Sequence, residues 1–86
     1  MIKKAVSLRY PENADAPYIS AIGKGQIAQK MLEIAEENNI PVVDNANLTN
    51  VLSIQSVGDI ISEDVYEAVA KIFAFIALIE EKETTK

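Results

Sequence analysis

The fold is decided by the stretch that opens Ala21-Ile22-Gly23-Lys24-Gly25, continues as an amphipathic run from Gln26 to Asn38, and closes Asn39-Ile40-Pro41-Val42-Val43-Asp44-Asn45. Tyr18-Ile19-Ser20-Ala21-Ile22 is a short β-rich segment, and the Gly-Lys-Gly turn stops it. In the run that follows, apolar residues fall at Ile27, Met31, Ile34 and Ala35, with Ala28 and Leu32 beside them. That spacing is a helical stripe, with Gln29, Lys30, Glu33, Glu36 and Glu37 on the wet side. Asn38-Asn39 is a helix stop, because Asn follows Gly in tolerance of the left-handed cap. Ile40-Pro41-Val42-Val43 then reads as a short buried strand, which Pro41 confines to a strand start or an edge.

Working outward, Lys4 to Tyr10 alternates, with Val6, Leu8 and Tyr10 on one side and Ser7 and Arg9 on the other. This is the period-two pattern of a half-buried strand. Pro11 to Pro17 is a turn that hairpins it to Tyr18–Ile22. Downstream, Asp44 or Asn45 caps a short helix from Ala46 to Ile54, and a loop surrounds Gly58-Asp59. Ser62-Glu63-Asp64 opens a last helix, the two acids facing its positive end. That helix is expected to reach Glu81, with Lys82 to Lys86 a frayed tail. The order β-β-α-β-α-α predicts an α/β (α+β) fold, a small mixed sheet of about three strands packed with helices. A single domain over residues 1–82 accounts for it.

Composition narrows the chemistry. The 86 residues carry no cysteine and no histidine, and the net charge is −5. Disulfides, thiolate metal sites and His-activated nucleophiles are therefore unavailable. No Lys/Arg cluster exceeds Lys3-Lys4, so there is no nucleic-acid footprint. Val65 to Ile79 contains Glu67 and Lys71 and falls short of the roughly 18–20 apolar residues a membrane span needs. No signal sequence is visible, and the chain reads as cytosolic, without membrane insertion.

Candidate sites follow from what is left. Gly23, Lys24 and Gly25 before a helix start offer an anion site, but a phosphate loop needs two glycines five apart followed by Lys-Ser/Thr. A tight strand-to-helix turn is the simpler reading. Glu36, Glu37, Asp44, Asp59, Glu63 and Asp64 match no calcium loop and sit mostly at helix ends. In the last helix Val65, Val69, Ile72, Phe73, Ile76 and Ile79 form the core face. Glu67 and Lys71 mark a solvent stripe that carries on through Phe75 and Leu78, an exposed apolar pair suited to a contact. No catalytic residue, metal site or cofactor is implied.

Together, Ala5-Val6-Ser7-Leu8-Arg9-Tyr10, the Gly-Lys-Gly turn, Glu36-Glu37-Asn38-Asn39, Ile40-Pro41-Val42-Val43, Val57-Gly58-Asp59 and Tyr66-Glu67-Ala68-Val69-Ala70 closely resemble the cytosolic C-terminal domain of the type III secretion export switch family, whose flagellar members are FlhB-like. In that family a self-cleaving Asn-Pro-Thr-His motif immediately precedes the strand matched by Ala5 to Tyr10. Here Met1-Ile2-Lys3 stands in its place, so self-cleavage is not carried over. Other departures are Ala46-Asn47 where Pro-Pro is common, and Leu78 where Arg is frequent. The resemblance implies a non-enzymatic component or regulator of a flagellar or type III protein export apparatus, similar to the cleaved C-terminal fragment of the substrate-specificity switch. It also implies a free sheet edge at Ala5, Val6, Ser7, Leu8, Arg9 and Tyr10, since the family pairs an upstream strand there. The implied partners are export-apparatus proteins, including the membrane-anchored full-length switch protein, and export substrates, which Arg9 or Lys24 would help to hold. Two alternatives stay open: an anion- or nucleotide-binding regulator using the Gly-Lys-Gly turn, and a self-associating structural domain forming a homodimer.

Overall fold

A computed structural model describes residues 3–84, with side chains described as far as Ile79. Two strands, β1 (Lys4–Arg9) and β2 (Tyr18–Lys24), form an antiparallel hairpin. Three helices follow, α1 (Gln26–Glu37), α2 (Ala46–Leu52) and α3 (Glu63–Thr84). A bulge between Ser7 and Leu8 leaves Ser20 without a partner in the ladder. That extra residue turns both Ile19 and Ile22 toward the same face despite their odd spacing. The Ser20 hydroxyl settles the irregularity by donating to the Ser7 carbonyl at 3.1 Å.

The hairpin divides the helices between its faces. Ile19, Leu52, Ile61, Val65 and Val69 form the buried cluster beneath α2 and α3, with Val6, Leu8, Ile22, Leu48 and Phe73 packed against it. Helix α1 crosses the other face over Gly23, whose place on β2 is so close to the helix that a Cβ there would lie 3.1 Å from the Ala28 amide nitrogen. Lysine side chains reach out along the same division. Lys4, on the side of Val6 and Leu8, points its Nζ to Asn50 of α2 at 3.4 Å, and Lys3 points its own to Gln29 of α1.

Local chemistry sets the helix ends. Helix α1 stops where Asn39 enters the left-handed region at φ 56°. The Ile40 amide then donates to Ala35 O and the Asn39 amide to Glu36 O, which together satisfy the last carbonyls. Helix α2 begins at Asn45, whose side-chain oxygen accepts from the Leu48 amide at 3.1 Å. Asn45→Ala is expected to cost about 0.5–2 kcal/mol, read as a lower urea midpoint at unchanged slope. Helix α3 runs on to Thr84, past the expected stop at Glu81; Thr85 and Lys86, the end of the expected tail, lie outside the described residues.

One expected element is different. Ile40-Pro41-Val42-Val43 forms no strand and is not buried; Ile40, Val42 and Val43 are each about half exposed. A strand exists only where a neighbour accepts its backbone groups, and among the described residues none lies alongside this segment. The sheet is accordingly two-stranded and antiparallel rather than a mixed sheet of three.

Candidate functional site

The unpaired segment and the hairpin face each other across a groove. Its volume is about 1300 Å3, and it is walled by Lys3 to Leu8 of the β1 side and by Ile40 to Asn45 opposite. Its floor and roof come from different helices. Met31, Leu32 and Ala35 of α1 line one side; Leu48 and Leu52 of α2 with Val69, Ile72, Phe73 and Ile76 of α3 line the other. Within the hairpin, β1 is paired on one edge to β2. Its other edge is the groove wall, along which no strand pairs among the described residues.

The groove explains which apolar side chains are wet. Ile34, Ile40, Val42 and Val43 border it and are each about half exposed. Ile79, expected in the core, is 41% exposed and lines a second, smaller cavity of about 800 Å3 with Leu32, Ile40 and Ile76. Phe75 and Leu78 are exposed as the helical geometry predicts, and they line neither cavity. The Glu67 carboxylate and Lys71 ammonium meet at 3.5 Å on that solvent stripe. Tyr10 caps the other end of β1, packing edge-on to Phe73 with ring centroids 5.5 Å apart.

The Gly-Lys-Gly turn has backbone tasks of its own. Gly23 admits α1, and Gly25, at φ 62°, turns the chain while its amide donates to the Lys3 carbonyl at 2.7 Å. Lys24 is exposed at the strand end. The anion-binding alternative gains no support from this arrangement. Among the described residues no three His, Cys, Asp or Glu side chains gather as a metal site, and no helix is long and apolar enough to cross a membrane.

The groove thus brings a strand edge and apolar side chains together, and relatives with the same architecture say to what class the domain belongs. A profile of the FlhB HrpN YscU SpaS Family matches residues 2–76, and the chain belongs to that family. It is 37% identical over 86 residues to YlqH of Bacillus subtilis, an uncharacterised protein, covering 99% of this chain and 92% of that one. It is 45% identical over 80 residues to the flagellar biosynthetic protein FlhB of Aquifex aeolicus, covering 91% of this chain but 23% of that protein. Among solved structures it is similar to the PscU C-terminal domain (TM-score 0.79, 25% identity, 85% of this chain and 95% of that one). It is also similar to the mutated H265A EscU C-terminal domain (TM-score 0.82, 27% identity, 87% and 93%). The protein is thus an export switch-like domain of the type III and flagellar kind. Its 86 residues contain no Asn-Pro-Thr-His sequence.

Proposed function

We propose that this domain is a non-enzymatic component or regulator of a type III or flagellar protein export apparatus, and that it docks there by accepting one extended segment in the groove beside β1. The observation that carries the reading is the groove itself, with an open strand edge on one wall and an unpaired segment on the other. A segment lying between them gains backbone hydrogen bonds from Ala5 to Tyr10, the mode of β-strand addition. Helices cover both faces of that position, so the accepted segment is apolar on both sides, as buried central strands are, rather than alternating.

The partner in this reading is the membrane-anchored full-length switch protein, whose upstream strand this domain would pair with in place of that protein's own cleaved fragment. The domain then sits on the cytoplasmic side, at the export gate. A second copy is a poorer occupant. Two β1 edges would bring Lys3, Lys4 and Arg9 of one copy against the same cations of the other, and like charges on facing strands are destabilising. Phe75 and Leu78, outside the groove, supply a second apolar contact with the apparatus.

The test uses residues that make no ladder bonds in the free domain. Val42→Pro and Val43→Pro, made singly, should each leave thermal stability nearly unchanged. Neighbouring amides in an extended segment point opposite ways, so one of the two variants removes a donor that faces the groove. That variant should bind the partner's cytosolic part, ended at the Asn of its cleavage motif, about tenfold more weakly by calorimetry, for one lost hydrogen bond with its strained surroundings. Equal affinity of both variants and the parent would remove the segment from the docking surface.

A further inference from the structure

We propose a second docking surface on the loop from Ser53 to Ser62, shaped for a helix whose apolar stripe is flanked by Lys or Arg. It is separate from the groove beside β1, and neither reading depends on the other.

The loop exposes three aliphatic side chains strongly: Ile54 is 85% exposed, Val57 60% and Ile60 66%. Single exposed aliphatics are ordinary, but here three fall within seven residues of one short loop. This loop is also held. The Gln55 side chain donates to the Ile60 carbonyl at 3.0 Å and accepts from the Ser62 amide at 3.1 Å. The Asp59 carboxylate accepts from the Ser56 amide at 3.0 Å, and the Asp59 amide donates back to Ser56 O. A patch whose backbone is already fixed loses little freedom when a partner arrives.

Backbone bonds decide the form of that partner. The Ile19 amide donates to Asp59 O at 2.8 Å, the Gly58 amide to Ile19 O at 2.7 Å, and the Ile61 amide to Pro17 O at 3.1 Å. Here the edge of β2 is already covered by the loop, so nothing invites a strand. Contact must be made by side chains, which an amphipathic helix presents in one stripe. Charge decides the flanks. From Met31 to Ala70 the sequence has no Lys or Arg, and the acid Asp59 lies within the loop while Glu63 and Asp64 follow directly on it. Such a rim favours cations beside the stripe and repels acids.

The experiment is a titration of the isotopically labelled full chain, followed by amide NMR. The probe is a short peptide of Leu and Lys held helical by α-methyl residues, which cannot pair as a strand; its control carries Glu in place of Lys. Shifts should cluster at residues 51–64 with the Lys peptide and be absent with the Glu peptide. The exposed double variant Ile54→Ser with Val57→Ser should weaken binding by about tenfold or more, from the apolar surface lost. Glu63→Gln with Asp64→Asn, which leaves the loop's own bonds intact, should weaken it by up to about fivefold per charge. Shifts centred on the β1 groove, equal response to the Glu peptide, or no shifts at a large excess of peptide would each overturn the proposal.

Discussion

Gly23→Val should leave the domain at or beyond the edge of unfolding. A Cβ at this position would lie 2.5 Å from Met31 Sδ, 2.9 Å from Ile27 Cγ2 and 3.1 Å from the Ala28 amide nitrogen. The first neighbour is the movable end of a flexible side chain and can yield. The last is helix backbone and cannot yield without α1 lifting from the sheet. Alanine adds only the Cβ, and Gly23→Ala is expected to cost about 1–3 kcal/mol, the usual range for overpacking. Valine adds two γ-methyls against the same helix, and the cost should exceed about 3 kcal/mol, with β-propensity offsetting little of it. For a small domain holding roughly 5–10 kcal/mol in all, that is a large share. Urea denaturation checks both. Met31→Ala should recover part of the Gly23→Ala loss, and recovery of none would place the clash on Ile27 and the helix backbone.

The second large effect sits on the opposite face of the same strand. Ile19 has no exposed surface and stands at the centre of the cluster that joins β2 to α2, α3 and Ile61. Ile19→Ala empties that centre while sparing its backbone bonds to Gly58 and Asp59. The expected loss is about 2–5 kcal/mol, transfer plus cavity. Ile54→Ala removes a side chain of the same type at 85% exposure and should change stability by no more than about 0.5 kcal/mol. The contrast between two isoleucines, measured in one denaturation series, separates burial from side-chain chemistry. Equal losses would mean that the packing described here is wrong.

Elements whose signal lies within their own residues were legible in the sequence. The alternation of Val6 and Leu8 placed β1, the stripe through Ala28, Met31 and Ala35 placed α1, and Asn39 and Asn45 marked a helix end and a helix start. The exposure of Phe75 and Leu78 followed from helical geometry alone. What escaped depended on neighbours distant in sequence. Ile40 to Val43 has strand composition, but strand formation needs a pairing partner, and none is present among the described residues. The bulge at Ser7/Leu8 escaped because Ile19 and Ile22, three apart, contradict a simple alternation. Ile79 looked like core from its periodicity, but it borders a cavity between α3 and the segment at Ile40 to Val42 that no local pattern announces. The open edge of β1 was expected from family resemblance, whereas the opposing wall of the groove was not. Its signal was present in Pro41-Val42-Val43, an apolar run with nowhere of its own to pair. Ile54 was placed at the end of the short helix and Val57 and Ile60 in a loop, although three aliphatics within seven residues were there to be read.

If the groove beside β1 receives an extended segment, binding must protect the backbone of both its walls. Amide hydrogen exchange of the full chain, with and without the cytosolic part of its host's membrane-anchored switch protein, tests it most directly. New protection is expected on binding at alternate amides of Lys4 to Arg9 and within Val42 to Asp44, with β2 unchanged. Binding that leaves both walls of the groove exchanging as freely as before, or no binding at high micromolar concentration, would contradict it.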